Sequence, residues 1–194
     1  MTGRKIPRTM DNFFDNILID IAEKLNPYFK KFNFTPNMIT TLSLIFGIIM
    51  NASYNKGNYT FAAISMLISY FFDCMDGNYA RTYNMQTKFG DYYDHIKDWL
   101  IVLIFTFLYI KKPVSIKFKI FGLLSLILIL LGTYIHVGCT EKYIRDNKSK
   151  TKNSESLGKI IYCPSKKYLG LSKYLGCGTF NLALILIIVL HKYM

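Results

Sequence analysis

Two acidic stretches, DCMDGNYAR at residues 73–81 and GDYYDHIKD at residues 90–98, border the most apolar part of the chain and hold five of its twelve acidic residues. Asp73 and Asp76 are three residues apart and Asp94 and Asp98 are four apart, so each pair lies on one face of a helix. The eight residues 82–89 are enough to turn the chain between the helices. We therefore expect two antiparallel helices that direct four carboxylates into one pocket. Acids this close to a bilayer are costly and usually mark a functional site.

The remaining sequence is typical of a helical membrane protein. Of its 194 residues, 52% are hydrophobic, and the formal net charge is +12. Long apolar runs occupy residues 38–54, 59–72, 99–110, 120–137 and 180–190. About 20 apolar residues cross a bilayer, so the second and third runs can span it only if their polar ends lie in protein or water. The sequence predicts an all-α integral membrane helical bundle with five spanning helices.

A sixth spanning helix would have to come from residues 157–176. That segment contains four lysines and Pro164, and a central charge costs about 2.5–3.5 kcal/mol in a spanning helix. Shielding by the bundle or by a homodimer partner would be needed to accommodate it. Five spans are therefore favoured over six, and a homodimer is the oligomer to consider.

The N-terminal part has the pattern of an amphipathic helix. Apolar residues recur at helical spacing within residues 10–31, and charged residues occupy the other face. This pattern suits a helix on the membrane surface, although an ordinary helix packed against a partner has the same pattern. Pro27 is expected to break or kink it. We predict a juxtamembrane segment at residues 1–34 and a membrane domain at residues 35–194.

The basic residues predict the orientation. Eighteen of the 24 lysines and arginines fall in three parts of the chain: the N-terminus, residues 81–97 around the turn between the acidic stretches, and residues 141–173. The other six fall on the opposite side. Excess positive charge marks the cytoplasmic side, so the acidic pocket is expected to face the cytoplasm. The expected partner of the basic surface is membrane lipid. A net positive charge suits binding to the anionic headgroups of that lipid or to an acidic substrate. No nucleic-acid-binding motif is present, and no nucleic-acid partner is expected.

The four cysteines form no CxxC pair, and a disulfide framework is not expected. A zinc site built from His136, Cys139, Cys163 and Cys177 is conceivable but lacks ligand spacing. A buried, hydrogen-bonded His136 is the simpler expectation. The sequence from Gly176 to Thr179 is expected to begin a helix.

The two acidic stretches form the pattern DxxDGxxARx8GxxxDxxxD, which resembles the signature of the class I CDP-alcohol phosphotransferase family. Its fixed positions are all present: Asp73, Asp76, Gly77, Ala80, Arg81, Gly90, Asp94 and Asp98. Upstream, residues 35–40 (TPNMIT) are similar to the segment that opens the family's first membrane helix. The family typically has six spanning helices, one more than the five apolar runs found here.

The resemblance implies an enzyme of phospholipid biosynthesis that transfers a phosphatidyl or phospho-alcohol group from a CDP-alcohol to an acceptor hydroxyl and releases CMP. It implies a two-metal site for Mg²⁺ or Mn²⁺, since hard oxygen ligands suit these ions. The implied metal ligands are Asp73, Asp76, Asp94 and Asp98. Asp98 is also implied to be the catalytic base. The substrate-binding residues would be Asn37, Thr40, Gly77, Ala80, Arg81 and Gly90.

Four possibilities are considered for the activity. CDP-diacylglycerol is the donor that the chain length favours, with inositol, serine or glycerol phosphate as acceptor. A choline or ethanolamine phosphotransferase would instead use diacylglycerol as acceptor, and the sequence NP at residues 26–27 followed by TPN at residues 35–37 resembles those enzymes. A catalytically dead membrane scaffold is disfavoured because no signature position is lost. A cation channel is disfavoured because the acids lie toward one membrane face.

Overall fold

The computed structural model describes residues 3–147, 163 and 169–193, and within these ranges the chain is helical with no β-strand. Seven α-helices are present: α1 (Phe13–Lys31), α2 (Pro36–Asn55), α3 (Tyr59–Thr82), α4 (Lys88–Lys111), α5 (Ile116–Asn147), α6 (Leu169–Ser172) and α7 (Cys177–Leu190). Three short 3₁₀ turns lie at Arg8–Met10, Lys173–Leu175 and His191–Tyr193. The predicted all-α class is confirmed.

Local sequence explains where the helices begin. Thr35, Asn58 and Thr87 cap α2, α3 and α4, each accepting a hydrogen bond from a backbone amide in the first turn. Pro36 occupies the first position of α2, where a missing N–H has no cost. Gly57 adopts a φ of 80° in the turn between α2 and α3, a conformation that favours glycine. Residues 56–58 therefore form a short connection between α2 and α3.

Helix α3 is the centre of the bundle and packs against α1, α2 and α7, while α4 packs on α2 and α5 on α7. The main core lies between α2, α3, α4 and α7, around the fully buried side chains of Met50, Tyr54, Phe105 and Leu184. Gly47 lets α2 and α4 approach closely, since a Cβ there would overlap Ile101. This packing fixes the acidic stretches of α3 and α4 beside each other.

Among the residues that the structure describes, three segments are long and apolar enough to cross a membrane: Pro36–Asn55, Ile116–Asp146 and Leu169–Tyr193. Many large apolar side chains on the outside are exposed, among them Leu103, Phe107 and Leu128, as expected of surfaces that face lipid. These features indicate an integral membrane protein. Helices α3 and α4 are not among these segments because each is only partly apolar. Residues 59–72 of α3 precede one acidic stretch, and residues 99–110 of α4 follow the other. The number of five or six spans therefore stays a prediction.

The N-terminal helix corrects one expectation. Pro27 does not break α1, which continues to Lys31. Packing on both sides of the proline maintains the helix: the Asn26 amide donates to Asn78 Oδ1 at 2.7 Å, and Phe29 joins the small core around Ala22. Phe13 and Ile17 are exposed on the outer face, as the predicted surface helix requires.

The cysteine expectations are also corrected. Cys139, near the end of α5, and Cys163 form a disulfide with a Cα–Cα distance of 4.8 Å. The fold brings together two cysteines 24 residues apart, a pairing that no local motif signals. The bond removes two thiolates from the conceivable zinc site, and His136 instead lies buried with its Nδ1 3.0 Å from Ser172 Oγ. The residues therefore do not form that zinc site. The buried His136 and the helix beginning at Cys177 are both confirmed.

Only part of the basic segment can be compared with the sixth-helix alternative. Residues 148–162 and 164–168 lie outside the described residues. Of residues 157–176, the described positions from 169 onward form the single turn of α6, a 3₁₀ turn and Gly176.

Candidate active site

The acidic stretches of α3 and α4 meet through their side chains, because both helices pack on α2 and Lys97 of α4 contacts Asp73 of α3. Each of Asp73, Asp94 and Asp98 offers a carboxylate oxygen, and these oxygens lie within 4.8 Å of one another. Asp73 comes from α3 and the other two from successive turns of α4, so the predicted helical spacing brings them together. We call these three residues the carboxylate triad.

Asp76 lies beside the carboxylate triad but has a different environment. It is buried, and its Oδ2 accepts a hydrogen bond from Thr40 Oγ1 at 2.6 Å. The same threonine hydroxyl contacts the carbonyl of Pro36 at 3.1 Å, which anchors it on the first turn of α2. The TPNMIT segment therefore orients Asp76. Of the four predicted metal ligands, the three residues of the carboxylate triad lie closest together.

A polar cavity of about 200 Å³ opens on the Asp76 side of the triad. Its lining includes Asp76, Asp94 and Lys5 together with every residue that the resemblance assigned to substrate: Asn37, Thr40, Gly77, Ala80, Arg81 and Gly90. A Cβ on Gly90 would lie 3.0 Å from Asn37 Oδ1, so a larger residue there would have to displace the Asn37 side chain slightly. Residues from three helices, distant in sequence, thus share one cavity.

The positive charge in the polar cavity comes partly from the N-terminal segment. Arg81 donates from Nε to the Gly3 carbonyl at 2.6 Å, so the segment before α1 reaches the end of α3. Lys5 also lines the cavity and forms an ion pair of 2.5 Å with Glu141 of α5. Sequence reasoning missed Lys5, because no local pattern indicates that the N-terminus folds over the acidic stretches.

A second cavity, of about 210 Å³, opens on the other side of the triad. Asp73 and Asp98 line it together with mostly apolar side chains of α3, α4, α5 and α7, including Met66, Val102, Leu130 and Phe180. We call it the apolar cavity. The aspartates therefore separate a polar compartment from an apolar one, with Asp76 and Asp94 facing the first and Asp73 and Asp98 the second.

Lys97 lies inside the carboxylate triad. Its side chain is buried, and its ammonium contacts Asp73, Asp94 Oδ1 at 2.9 Å and Asp98 Oδ1 at 3.0 Å. Ser43 Oγ of α2 lies 3.2 Å away. Lys97 was not among the site residues predicted from the sequence. Its position three residues after Asp94, on the same helix face, is the signal that could have located it.

A fifth acid, Asp15 of α1, is buried close to the site and was not predicted. Its Oδ1 accepts a hydrogen bond from Tyr70 Oη at 2.5 Å, and the backbone amide of Gly178 also donates to its carboxylate. Burial raises the pKa of Asp15 to about 7, and the two hydrogen bonds offset only part of that effect. Nearby Asp73 raises the pKa further by charge repulsion.

The donor set fits a hard divalent cation. All of the converging ligands are carboxylate oxygens, the kind that Mg²⁺ and Mn²⁺ prefer. Asp94 Oδ1 is buried, and the Lys97 ammonium lies 2.9 Å from it. The carboxylates therefore already attract a cation in this structure, and a divalent ion could bind the same kind of oxygen ligand.

Comparison with known proteins agrees with this geometry. No curated protein matched the sequence. The sequence model of one family, described as CDP-alcohol phosphatidyltransferase, matches residues 33–191 and so includes both acidic stretches and all seven helices except α1. Together with the signature residues gathered around the two cavities, this match shows that the chain belongs to the CDP-alcohol phosphatidyltransferase family.

Proposed function

We propose that the protein transfers a phosphatidyl or phospho-alcohol group from a CDP-alcohol to an acceptor hydroxyl and releases CMP. The family supports a phosphotransferase of phospholipid synthesis in general. The observation that carries the specific proposal is the pair of cavities on opposite sides of the aspartates. A CDP-alcohol has a polar nucleotide and a lipid has an apolar body, and each cavity suits one of them.

The polar cavity is proposed to bind the nucleotide. Arg81 and Lys5 can offset the negative charge of the two phosphates, and charge-assisted hydrogen bonds to phosphate are strong. Asn37 and Thr40 offer hydrogen-bonding groups from the first turn of α2. Gly77 and Ala80 leave room on the adjacent face of α3, where larger side chains would fill the cavity.

The aspartates are proposed to hold Mg²⁺ or Mn²⁺. Asp73, Asp76, Asp94 and Asp98 are the ligands that the family resemblance implies for two cation positions. A bound divalent cation neutralises the bridging phosphates and stabilises the charge that develops on the attacking and leaving oxygens.

Asp98 is proposed to be the catalytic base. It is half-exposed and lines the apolar cavity, so an acceptor hydroxyl can reach it. The acceptor oxygen forms a bond to the phosphorus that carries the alcohol moiety, and its proton passes to the Asp98 carboxylate. The bond between that phosphorus and the bridging oxygen breaks, and CMP leaves with the electron pair. Base catalysis of this kind is typically worth about 10²–10⁴-fold in rate.

The apolar cavity also favours a second candidate. CDP-diacylglycerol would place its lipid there and receive a polar alcohol, whereas a choline- or ethanolamine-type enzyme would place diacylglycerol there as acceptor. In the second case the lipid hydroxyl would lie beside Asp98, which lines that cavity. Both reactions release CMP, so only the products distinguish them.

One experiment tests the proposal and its alternatives. Purified protein is given radiolabelled CDP-diacylglycerol with inositol, serine or glycerol phosphate, and separately CDP-choline or CDP-ethanolamine with diacylglycerol, in Mg²⁺ and in Mn²⁺. We expect CMP and a labelled phospholipid from one donor–acceptor pair. Absence of CMP with every pair would favour the membrane scaffold. An Asp73→Asn variant serves as the control for contaminating activity.

We further propose that the site faces the cytoplasm. The excess of basic residues on that side supports this orientation. The Cys139–Cys163 disulfide argues in the other direction, because disulfides persist mainly in oxidising compartments. Labelling from each side of the membrane distinguishes the two.

A further inference from the structure

Lys97 occupies the position where a metal ion shared by the carboxylate triad would lie. The triad oxygens are within 4.8 Å of one another, and the Lys97 ammonium contacts all three residues. A magnesium ion bound to the same oxygens would need to approach them to about 2.0–2.1 Å. An ammonium ion and a divalent cation cannot share that space, and they repel each other.

The structure offers the Lys97 ammonium no other position with polar partners. Its side chain is 1% exposed and lines neither the polar nor the apolar cavity. An ammonium has three donors, and here three carboxylates and the hydroxyl of Ser43 surround it. Withdrawal into the apolar bundle would leave a buried charge without a partner, which is strongly unfavourable.

A second cation position remains on the side of the polar cavity. Asp76 and Asp94 line that cavity, and the contact of Asp94 with Lys97 is made through Oδ1, which leaves its other oxygen for a cation there. Charge balance agrees with one metal ion. Four aspartates contribute −4 and Lys97 with Arg81 contribute +2, while the charge of Lys5 is already paired with Glu141; this leaves −2 for a single divalent cation to neutralise. Two divalent cations would leave the substrate-free site at +2.

We infer that the Lys97 ammonium serves as one of the two cations of this site, so that the substrate-free protein holds one divalent ion, bound by Asp76 and Asp94 at the polar cavity. The inference rests on the proposed function and changes two of its details: the number of metal ions, and the partner of Asp73 and Asp98, which is Lys97 instead of a metal. Lys97 is then a positioning residue: it holds Asp73 and Asp98 together in place of a metal.

The test counts Mn²⁺ ions bound to purified, nucleotide-free protein in detergent, by calorimetric titration and by EPR of the bound ion. The wild type is expected to bind one ion with the spectrum of an isolated Mn²⁺. Lys97→Met is expected to bind two ions close enough to couple magnetically. Lys97→Arg retains the positive charge and is expected to bind one, as is the control Lys88→Met, which removes an exposed lysine from the same helix.

Two ions or none in the wild type would overturn the inference, as would a single ion in folded Lys97→Met. If that variant does not fold, the wild-type count and EPR spectrum still decide. CMP release is measured in parallel. Two bound ions with CMP release refute the inference alone. No CMP release refutes the proposed function, and the ion count still decides the role of Lys97.

Discussion

Asp15 makes the stability of the protein depend on pH. Its carboxyl is 8% exposed, and burial raises its pKa to about 7 from 3.8. A group whose pKa is raised on folding binds its proton more tightly in the folded state. Folding is therefore destabilised as pH rises from about 4, and the loss is complete above about pH 7. At 1.36 kcal/mol per pKa unit, the full loss is about 4 kcal/mol.

The perturbation is Asp15→Asn, which keeps an oxygen for the hydrogen bonds from Tyr70 and Gly178 but cannot ionise. Between about pH 5.5 and about pH 8 the wild type should lose about 2 kcal/mol of stability through this group. The variant should lack that part of the pH dependence and be more stable than wild type at the higher pH.

The assay is thermal unfolding of the detergent-solubilised protein at a series of pH values. The difference between wild type and variant isolates Asp15 from other titrating groups. Asp11→Asn gives a second test, since the charge of Asp11 also raises the pKa of Asp15 and its removal should lower that pKa. Parallel pH profiles for wild type and Asp15→Asn would refute the reasoning.

Three further predictions concern the site, the packing and the topology. Asp98→Asn should slow CMP release by at least ~10²-fold while nucleotide binding changes less. Asp76→Asn should weaken metal and nucleotide binding together, and calorimetry with a CDP analogue that shows equal losses in both variants would contradict these roles. Gly47→Leu should separate α2 from α4 and destabilise the protein by about 1–3 kcal/mol, and an unchanged unfolding midpoint would contradict that packing. Single cysteines in a cysteine-free background should be labelled from the cytoplasm at Ser149 and from the opposite side at Lys56; the reverse pattern would invert the orientation.

Much of the site was predictable because its residues lie at helical spacing along the sequence. Asp94 and Asp98 are one turn apart, and the fold needs only to bring two consecutive helices together for them to meet Asp73. The TPNMIT segment also lies where it was expected, with Thr40 bonded to Asp76. The family's fixed spacing specifies these contacts without any knowledge of tertiary structure.

The features that sequence analysis predicted wrongly or missed share a physical cause, which is contact between segments distant in sequence. Pro27 was expected to break or kink α1; the break does not occur, and α1 packs against α3 at this point. The disulfide joins residues that no motif connects. Burial of Asp15 depends on α7, more than 150 residues further along the chain. The sequence shows that Lys97 lies close to the acids along the chain. It does not show whether the side chain points toward the acids or toward solvent, because that direction involves a contact with Ser43 of α2.

The most direct test of the central claim is metal dependence of CMP release by the purified protein. With its CDP-alcohol and acceptor, the protein should release CMP in Mg²⁺ or Mn²⁺, lose this activity in EDTA and regain it when the ion is restored. The Asp73→Asn variant should be inactive under all three conditions. Full CMP release in EDTA would contradict the claim that the aspartates of α3 and α4 act through a bound divalent cation.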